Sequence, residues 1–342
     1  MGIFNNIHPM PPSITVIIIT FNSSSTIEDC LLSLNHQTFQ DFDVVLVDNS
    51  SHDNTQSVIQ SLQPLLNFSL KTVYLDQNLG FAGGNNVALR HACGQHIALL
   101  NPDAFPTAHW LEALVRTMDQ HPEVGICASK LLVHGSDVID SAGDGFSTAL
   151  KGFKRGEGRS KDLYDETEYV FGACAGAALY RKRMIDNIGF FDEEFFLVHE
   201  DTDLNFRANL TGWKVIYVPT AIVYHKVHSS IGKMSNVQVY YNLRNAEFVR
   251  IKNISLVVFL KHLPALMISA LAEFFYFAIR HWRFRIYVKA KYDAIRSLPA
   301  LYRRRKVIMQ QKTVDNGYVE RLLTPVFHKE FLGFRLGRLF FD

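Results

Sequence analysis

Short apolar runs that each end in a polar or glycine-rich turn, and that alternate with helix-length segments, constrain this chain more than any other feature. Residues 14–20 (ITVIIIT) are β-branched and read as a central strand. That run closes at Phe21-Asn22, and Ser23, Ser24 and Ser25 offer caps for a helix to about residue 34. Residues 43–47 (DVVLV) form a second run ending in Asp48-Asn49-Ser50-Ser51, and residues 70–75 a third, followed by Asn78-Leu79-Gly80-Phe81-Ala82-Gly83-Gly84. A helix to about residue 91 and a fourth strand come next. Strands alternating with helices predict βαβ units on a parallel sheet, with ligands in the crevice outside the carboxyl ends of the strands.

The fourth strand carries the most chemistry. In HIALLNPDA (96–104) the apolar run stops at Asn101-Pro102, because proline cannot donate to a ladder. Asp103 therefore stands just beyond the carboxyl end of an interior strand. Two readings fit: the carboxylate holds a divalent metal that in turn holds a diphosphate, or it caps a helix starting near Thr107. Asp48 is likewise either a turn residue or an acceptor for a nucleobase N–H or a sugar hydroxyl. Around Gly80, Gly83 and Gly84 the backbone N–H groups have no Cβ in the way of a phosphate or ribose, although a plain helix-entry turn needs the same residues.

Further along, helix 110–118 and strand 124–133 lead to residues 135–168, which are rich in Gly, Lys, Asp and Glu and read as a long surface excursion of the kind used for binding loops. Residues 171–180 (FGACAGAALY) are small enough to let a ligand or another segment close in. His199-Glu200-Asp201-Thr202-Asp203 opens a helix to about residue 210, ended by Gly212. The helix dipole and an i,i+4 pair to Arg207 account for Asp203. They leave the crowding of Glu200 and Asp201 unexplained, and neighbouring carboxylates suit a general base. Strand 214–218 leads to His225 and His228, each either polar surface or a neutral imidazole ligand.

Charge divides the chain. Residues 1–249 hold 17 Lys and Arg against 27 Asp and Glu, and residues 250–342 hold 18 against 6, so an acidic body carries a basic tail. Residues 254–279 are almost wholly apolar and long enough to span a bilayer, but Lys261, His262, Pro264 and Glu273 interrupt them. With the basic stretch that follows, the expectation is a helix lying on an anionic membrane face rather than a span, or else a hairpin buried on the body. The apolar run beside the cations argues against nucleic acid. Four scattered cysteines without a Cys-x-x-Cys fit reduced thiols in the cytosol, and no secretory signal is expected at the N-terminus.

Together, residues 16–34 (VIIITFNSSSTIEDCLLSL), 44–51 (VVLVDNSS), 78–86 (NLGFAGGNN), 99–104 (LLNPDA), 190–232 and 240–253 (YYNLRNAEFVRIKN) resemble a family 2 glycosyltransferase of the GT-A fold, in its rhamnosyltransferase-like branch. The resemblance implies an α/β fold with a Rossmann-like, mostly parallel sheet in residues 1–253, and a helical, membrane-associating extension in 254–342. It implies an inverting transferase taking a sugar, rhamnose from dTDP-rhamnose first, from a nucleotide-diphosphate donor to a glycan or lipid-linked saccharide, with Mg or Mn. Carried over by motif, Thr20, Asn22 and Asp48, with Asn78, Gly80, Gly83 and Asn101, meet the donor. Asp103 occupies the position of the DxD motif, whose first acid is Asn101 here. His225 is a second metal or diphosphate contact, and Asp201 is the catalytic base with Glu200 beside it. His228 falls where small residues are usual. Two rivals are a nucleotidyltransferase, which would want a basic residue in TFNSSSTIED, and a non-catalytic scaffold on the same fold. Oligomeric state is not legible.

Overall fold

The computed structural model describes residues 12–226 and 235–331. In chain order the first half runs β1 (Ile14–Thr20), α1 (Ile27–Asn35), β2 (Phe42–Asp48), α2 (Thr55–Leu62), β3 (Ser69–Tyr74), α3 (Gly80–Leu89), β4 (His96–Leu100), β5 (Ala104–Pro106), α4 (Trp110–Gln120) and β6 (Val124–Val133). Then come β7 (Ile139–Ala142), β8 (Asp144–Ser147), β9 (Gly152–Lys154), β10 (Glu168–Val170), β11 (Ala177–Arg181), α5 (Lys182–Ile188), α6 (Glu200–Leu210) and β12 (Lys214–His225). The C-terminal part is α7 (Asn236–Asn253), α8 (Leu256–Phe274), a π-helical turn (Phe275–Arg280), α9 (Phe284–Arg296), α10 (Leu298–Gln311), α11 (Asn316–Leu322) and the short β13 (Leu323–Thr324).

One sheet organises the body, in the order β10-β12-β6-β11-β4-β1-β2-β3, with β5 on β12 and β7 on β6. β3, β2, β1 and β4 are parallel, as the alternation of strands and helices predicts. β11 runs antiparallel between β4 and β6, while β12 runs parallel to β6. The carboxyl ends of β1, β2, β4, β6 and β12 therefore share one edge. Strand periodicity divides the core. Ile14, Val16 and Ile18 pack with α1 and α4 on one face, and Ile17 and Ile19 pack on the other. Each such side chain, taken fully out of water, stabilises by roughly 1.5–3 kcal/mol.

Two expectations change. The chain after Asp103 is strand β5, and the next helix starts only at Trp110 with His109 as its cap residue, so Asp103 caps no helix. Nor is 135–168 wholly a surface excursion. Its centre forms β7, β8 and β9, with Asp140, Ser141, Phe146 and Ser147 buried, and 135–138 and 157–168 are largely exposed. Phe146 meets Phe206 of α6 edge-on at 4.6 Å, which fixes this insertion against the helix bearing the acids.

α7 joins the body to the C-terminal helices. Ser235 caps it by accepting from the Gln238 N–H (3.1 Å), and its last turn sends Lys252 to Asp192 (2.6 Å) and Asp203 (2.8 Å). α9 and α10 pack on its other side.

Candidate active site

Strand ends place most of the expected residues. Thr20 and Asp48 end the paired strands β1 and β2, and the Thr20 hydroxyl donates to Asp48 at 3.0 Å. The same carboxylate accepts from the Ser51 hydroxyl (2.5 Å) and from Gln56 Nε2 (2.7 Å), so the chain itself engages both of its oxygens. Exposed Asn22, at φ +51°, accepts from the His52 N–H at 2.8 Å and ties the β1 turn to the β2 turn.

The glycine-rich turn is built for close packing. Asn78 accepts from the Gly80 N–H (2.8 Å), and Gly80 has φ +73°. A Cβ on Gly80 would collide with the Phe196 carbonyl, and one on Gly83 would press on Leu79. Asn49, absent from the expected set, secures this turn by donating to the Gly80 carbonyl (3.0 Å) and accepting from the Leu79 N–H (2.8 Å).

Asp103 is 5% exposed, and His225 at the end of β12 reaches it, with Nε2 3.3 Å from its carboxylate. The register Ala104–His225 between β5 and β12 sets this distance. On its other side His225 Nδ1 lies 2.9 Å from Asp140, which pairs with Lys154 at 2.6 Å. Burial disfavours an imidazolium, but the hydrogen bonds to Asp103 and Asp140 outweigh it and push His225 up to about 9. Asp140 goes down in turn: burial opposes, and Lys154 and His225 prevail. Among the described residues no group of three His, Cys, Asp or Glu stands ready to hold an ion. The pair still fits Mg or Mn. It offers one carboxylate and, once an ion displaces the Nε2 proton, one imidazole nitrogen whose tautomer Asp140 can fix, and such ions take their remaining ligands from phosphates and water.

Asp201 sits in the first turn of α6, where its carboxylate accepts from its neighbour's N–H (Thr202, 2.6 Å) and from the Ala175 N–H (3.3 Å). Residue 176, next along, accepts from the Asn101 N–H at 2.8 Å. The segment before β11 thus connects the Asp201 side to the Asn101-Pro102-Asp103 corner. Burial, then the Asp201 charge, raises Glu200 to about 8, and its Oε2 is buried without a hydrogen-bond partner. Burial and Asp201 also raise Asp144 to about 8. Asp140, Asp144 and Lys154 are charged residues within short strands, a signal the sequence offered and composition obscured. His228 lies outside the described residues.

The loop before α6 is strained. Phe196, Val198 and His199 have φ of +61°, +67° and +73°, a region that non-glycine residues avoid. Asn245 of α7 holds it: its side-chain nitrogen donates to the carbonyls of Phe195, Leu197 and Val198, each at 2.8 Å.

Comparison with known proteins agrees with this geometry. Residues 15–189 match the model of the family described as glycosyl transferase family 2. The chain is 24% identical over 245 residues, 65% of its length and 78% of the relative's, to the N-acetylglucosaminyl-diphospho-decaprenol L-rhamnosyltransferase of Mycobacterium tuberculosis H37Rv. Among solved structures it resembles S. aureus TarS 1-349 in complex with UDP-GlcNAc (TM-score 0.56, 22% identity, covering 87% of this chain and 89% of that one). It also resembles the mannosyltransferase PcManGT of Pyrobaculum calidifontis in complex with GDP-Man and Mn2+ (TM-score 0.53, 16% identity, 97% and 88%). The sheet is that of the GT-A fold, and the chain belongs to glycosyl transferase family 2, whose members move a sugar from a nucleotide donor.

Proposed function

We propose that this chain is an inverting glycosyltransferase that moves a sugar, rhamnose from dTDP-rhamnose first, to a hydroxyl of a lipid-linked saccharide or glycan in cell-surface polysaccharide synthesis. The observation that carries the reading is the pairing of two acidic centres at one sheet edge. Asp103 lies beyond β4 and His225 ends β12, and Asp201 is held by the segment that also holds Asn101. The acceptor and the rhamnose draw their support from the mycobacterial relative, whose own substrate is a diphospho-decaprenol saccharide.

The residues divide the work. Asp201, kept in place by two backbone N–H groups, takes the proton of the acceptor hydroxyl as that oxygen bonds to the anomeric carbon. In the same step the bond from that carbon to the diphosphate oxygen breaks, which inverts the centre and needs no covalent enzyme intermediate. Asp103 and His225 would hold Mg or Mn, which when bound neutralises charge on the leaving diphosphate. Thr20, Asn22, Asp48, Asn78, Gly80, Gly83 and Asn101 border the donor. We place the protein on the cytosolic face of the membrane, with residues 1–253 as the catalytic body and the helices from 254 onward as its lipid-facing part.

The test is turnover and binding of a panel of dTDP-, UDP- and GDP-sugars, with and without Mg or Mn. We expect one donor to turn over only with metal, Asp103→Ala to lose metal-dependent binding, and Asp201→Asn to bind without reacting. A galactofuranosyl or glucosyl donor in place of the rhamnosyl one would change the sugar and keep the mechanism. If no nucleotide sugar binds under any condition, the catalytic reading fails and a scaffold role replaces it.

A further inference from the structure

α8 is built inside out. Its exposed large apolar residues recur at helical spacing and are Leu256, Val257, Leu260, Met267, Ile268 and Leu271, followed by Phe275 and Ile279 in the π-helical turn, and its one exposed charge, Lys261, pairs with Glu320 of α11 at 2.6 Å. Ile268 is 73% exposed. The inner face carries the charge: Glu273 is buried and pairs with Lys151 (2.5 Å) and Lys291 (2.8 Å). A soluble helix puts these the other way round. At the corner after α8, Trp282 is 92% exposed. Along α9 an exposed apolar row, Phe284, Val288, Tyr292 and Ile295, runs beside an exposed cationic row, Arg285, Lys289 and Arg296.

We propose that the outer stripe of α8, the Trp282 corner and the apolar row of α9 form one dock that lies in the interface of an anionic lipid bilayer without crossing it. This deepens the membrane-borne acceptor reading given above and rests on it. Three observations select a lipid surface. The first excludes a span. Lipid on all sides of α8 would strip Glu273 from Lys151 and Lys291, and an unpaired carboxylate at membrane depth is costly. The second disfavours a second copy of the chain. Residues 250–342 hold 18 Lys and Arg against 6 Asp and Glu, so two such faces repel, whereas anionic headgroups attract them. The third is the tryptophan: an indole fully in water beside arginines is the side chain that settles at a membrane–water boundary.

The dock also lies close to the chemistry. Lys151, which grips Glu273, precedes Gly152, where a Cβ would come within 3.8 Å of the Thr202 side chain, and Thr202 follows Asp201. The β8–β9 turn thus links the inner face of α8 to the helix that bears the proposed base. A hydroxyl carried on a lipid headgroup saccharide would therefore be presented from the side where Asp201 stands.

The test uses the full chain and vesicles of phosphatidylglycerol with phosphatidylcholine, against phosphatidylcholine alone, without any donor. We expect co-sedimentation with the anionic vesicles that weakens as NaCl rises. We expect a blue shift of tryptophan emission that Trp282→Phe abolishes, because Trp110 is buried and Trp213 is partly covered. Replacing two exposed side chains, Ile268→Asp with Leu271→Asp, should weaken binding by about tenfold or more and leave donor hydrolysis unchanged. Three results would overturn the dock: no binding to either vesicle, carbonate-resistant insertion that marks a span, or a dimer in solution that the double variant converts to monomer. Vesicle binding without turnover of any donor would sink the transferase reading and leave the dock standing.

Discussion

Asn245→Ala tests whether α7 shapes the site from behind. Asn245 is fully buried, and its single amide nitrogen serves three carbonyls of the 195–198 loop. Removing it leaves the Leu197 and Val198 carbonyls unpaired at about 1–3 kcal/mol each, while the Phe195 carbonyl keeps the Leu197 N–H at 2.7 Å. The three positive-φ residues it restrains store a further 1–2 kcal/mol or so apiece. The lost restraint and the stored strain are of similar size, so the loop should relax rather than stay in place undersatisfied. Asp201 lies two residues past His199, at the end of the strained run, and a 1 Å displacement of a reacting group costs on the order of 10²-fold. The proposed donor side depends on the loop less, through Phe196, whose carbonyl accepts from the Ala82 N–H at 3.1 Å and whose ring lies against Gly80. The expected outcome is a fall in kcat of about 10²-fold with donor affinity changed only a few-fold, measured well below the melting temperature. If the variant melts lower but keeps wild-type kcat, Asn245 is a stability residue only and the positioning argument is wrong.

Glu200→Gln should keep most activity at pH 7, because Glu200, raised to about 8, is already neutral there. A raised folded-state pKa gives stability that is full below the unfolded value and lost as pH rises through about 8. The variant should therefore flatten the alkaline limb of both the rate profile and the stability profile, and an unchanged alkaline limb would refute the assignment. Asp203 behaves in the opposite sense: burial would raise it, but Lys252, Arg207 and Asn253 together bring it down to about 2. Its contribution, about 2 kcal/mol, is present above the unfolded value and lost as pH falls through about 2, which acid-titrated urea midpoints would register. Asp203→Ala should cost about 3 kcal/mol, the low end for a broken buried pair, since Lys252 keeps Asp192 and Arg207 keeps the carbonyls of Ile188 and Gly189. A change below about 1 kcal/mol would mean the network is not coupled to folding.

The parallel half of the sheet was legible because each strand there is short and closed by a turn residue with one clear job. Pro102 is the plainest case: it ends β4 and so delivers Asp103 to the edge. The insertion that carries β7, β8 and β9, the last two in a separate three-stranded sheet with β13, was less legible for an equally physical reason. β7, β8 and β9 run no longer than four residues and carry Asp140, Asp144 and Lys154 within them, so no hydrophobic period marks them. Their charges are buried only because they answer one another and His225 across the insertion, and such pairing appears only once the chain is folded. Asn245 was hidden in the same way, since nothing in NLRN says that one amide will span three carbonyls.

Glu273 shows how a residue can mislead alone and inform in context. As a letter in an apolar run it argued against a membrane span. In the fold it faces inward to Lys151 and Lys291, which leaves Lys261, paired with Glu320, as the one exposed charge among the apolar residues of α8. The same ion pairs prevent that helix from leaving the body. The body and α8 are thus joined by buried charge instead of apolar packing alone. Charge-neutral replacement of Glu273 should loosen the helix from the body before it affects the sheet edge where Asp103 and His225 meet.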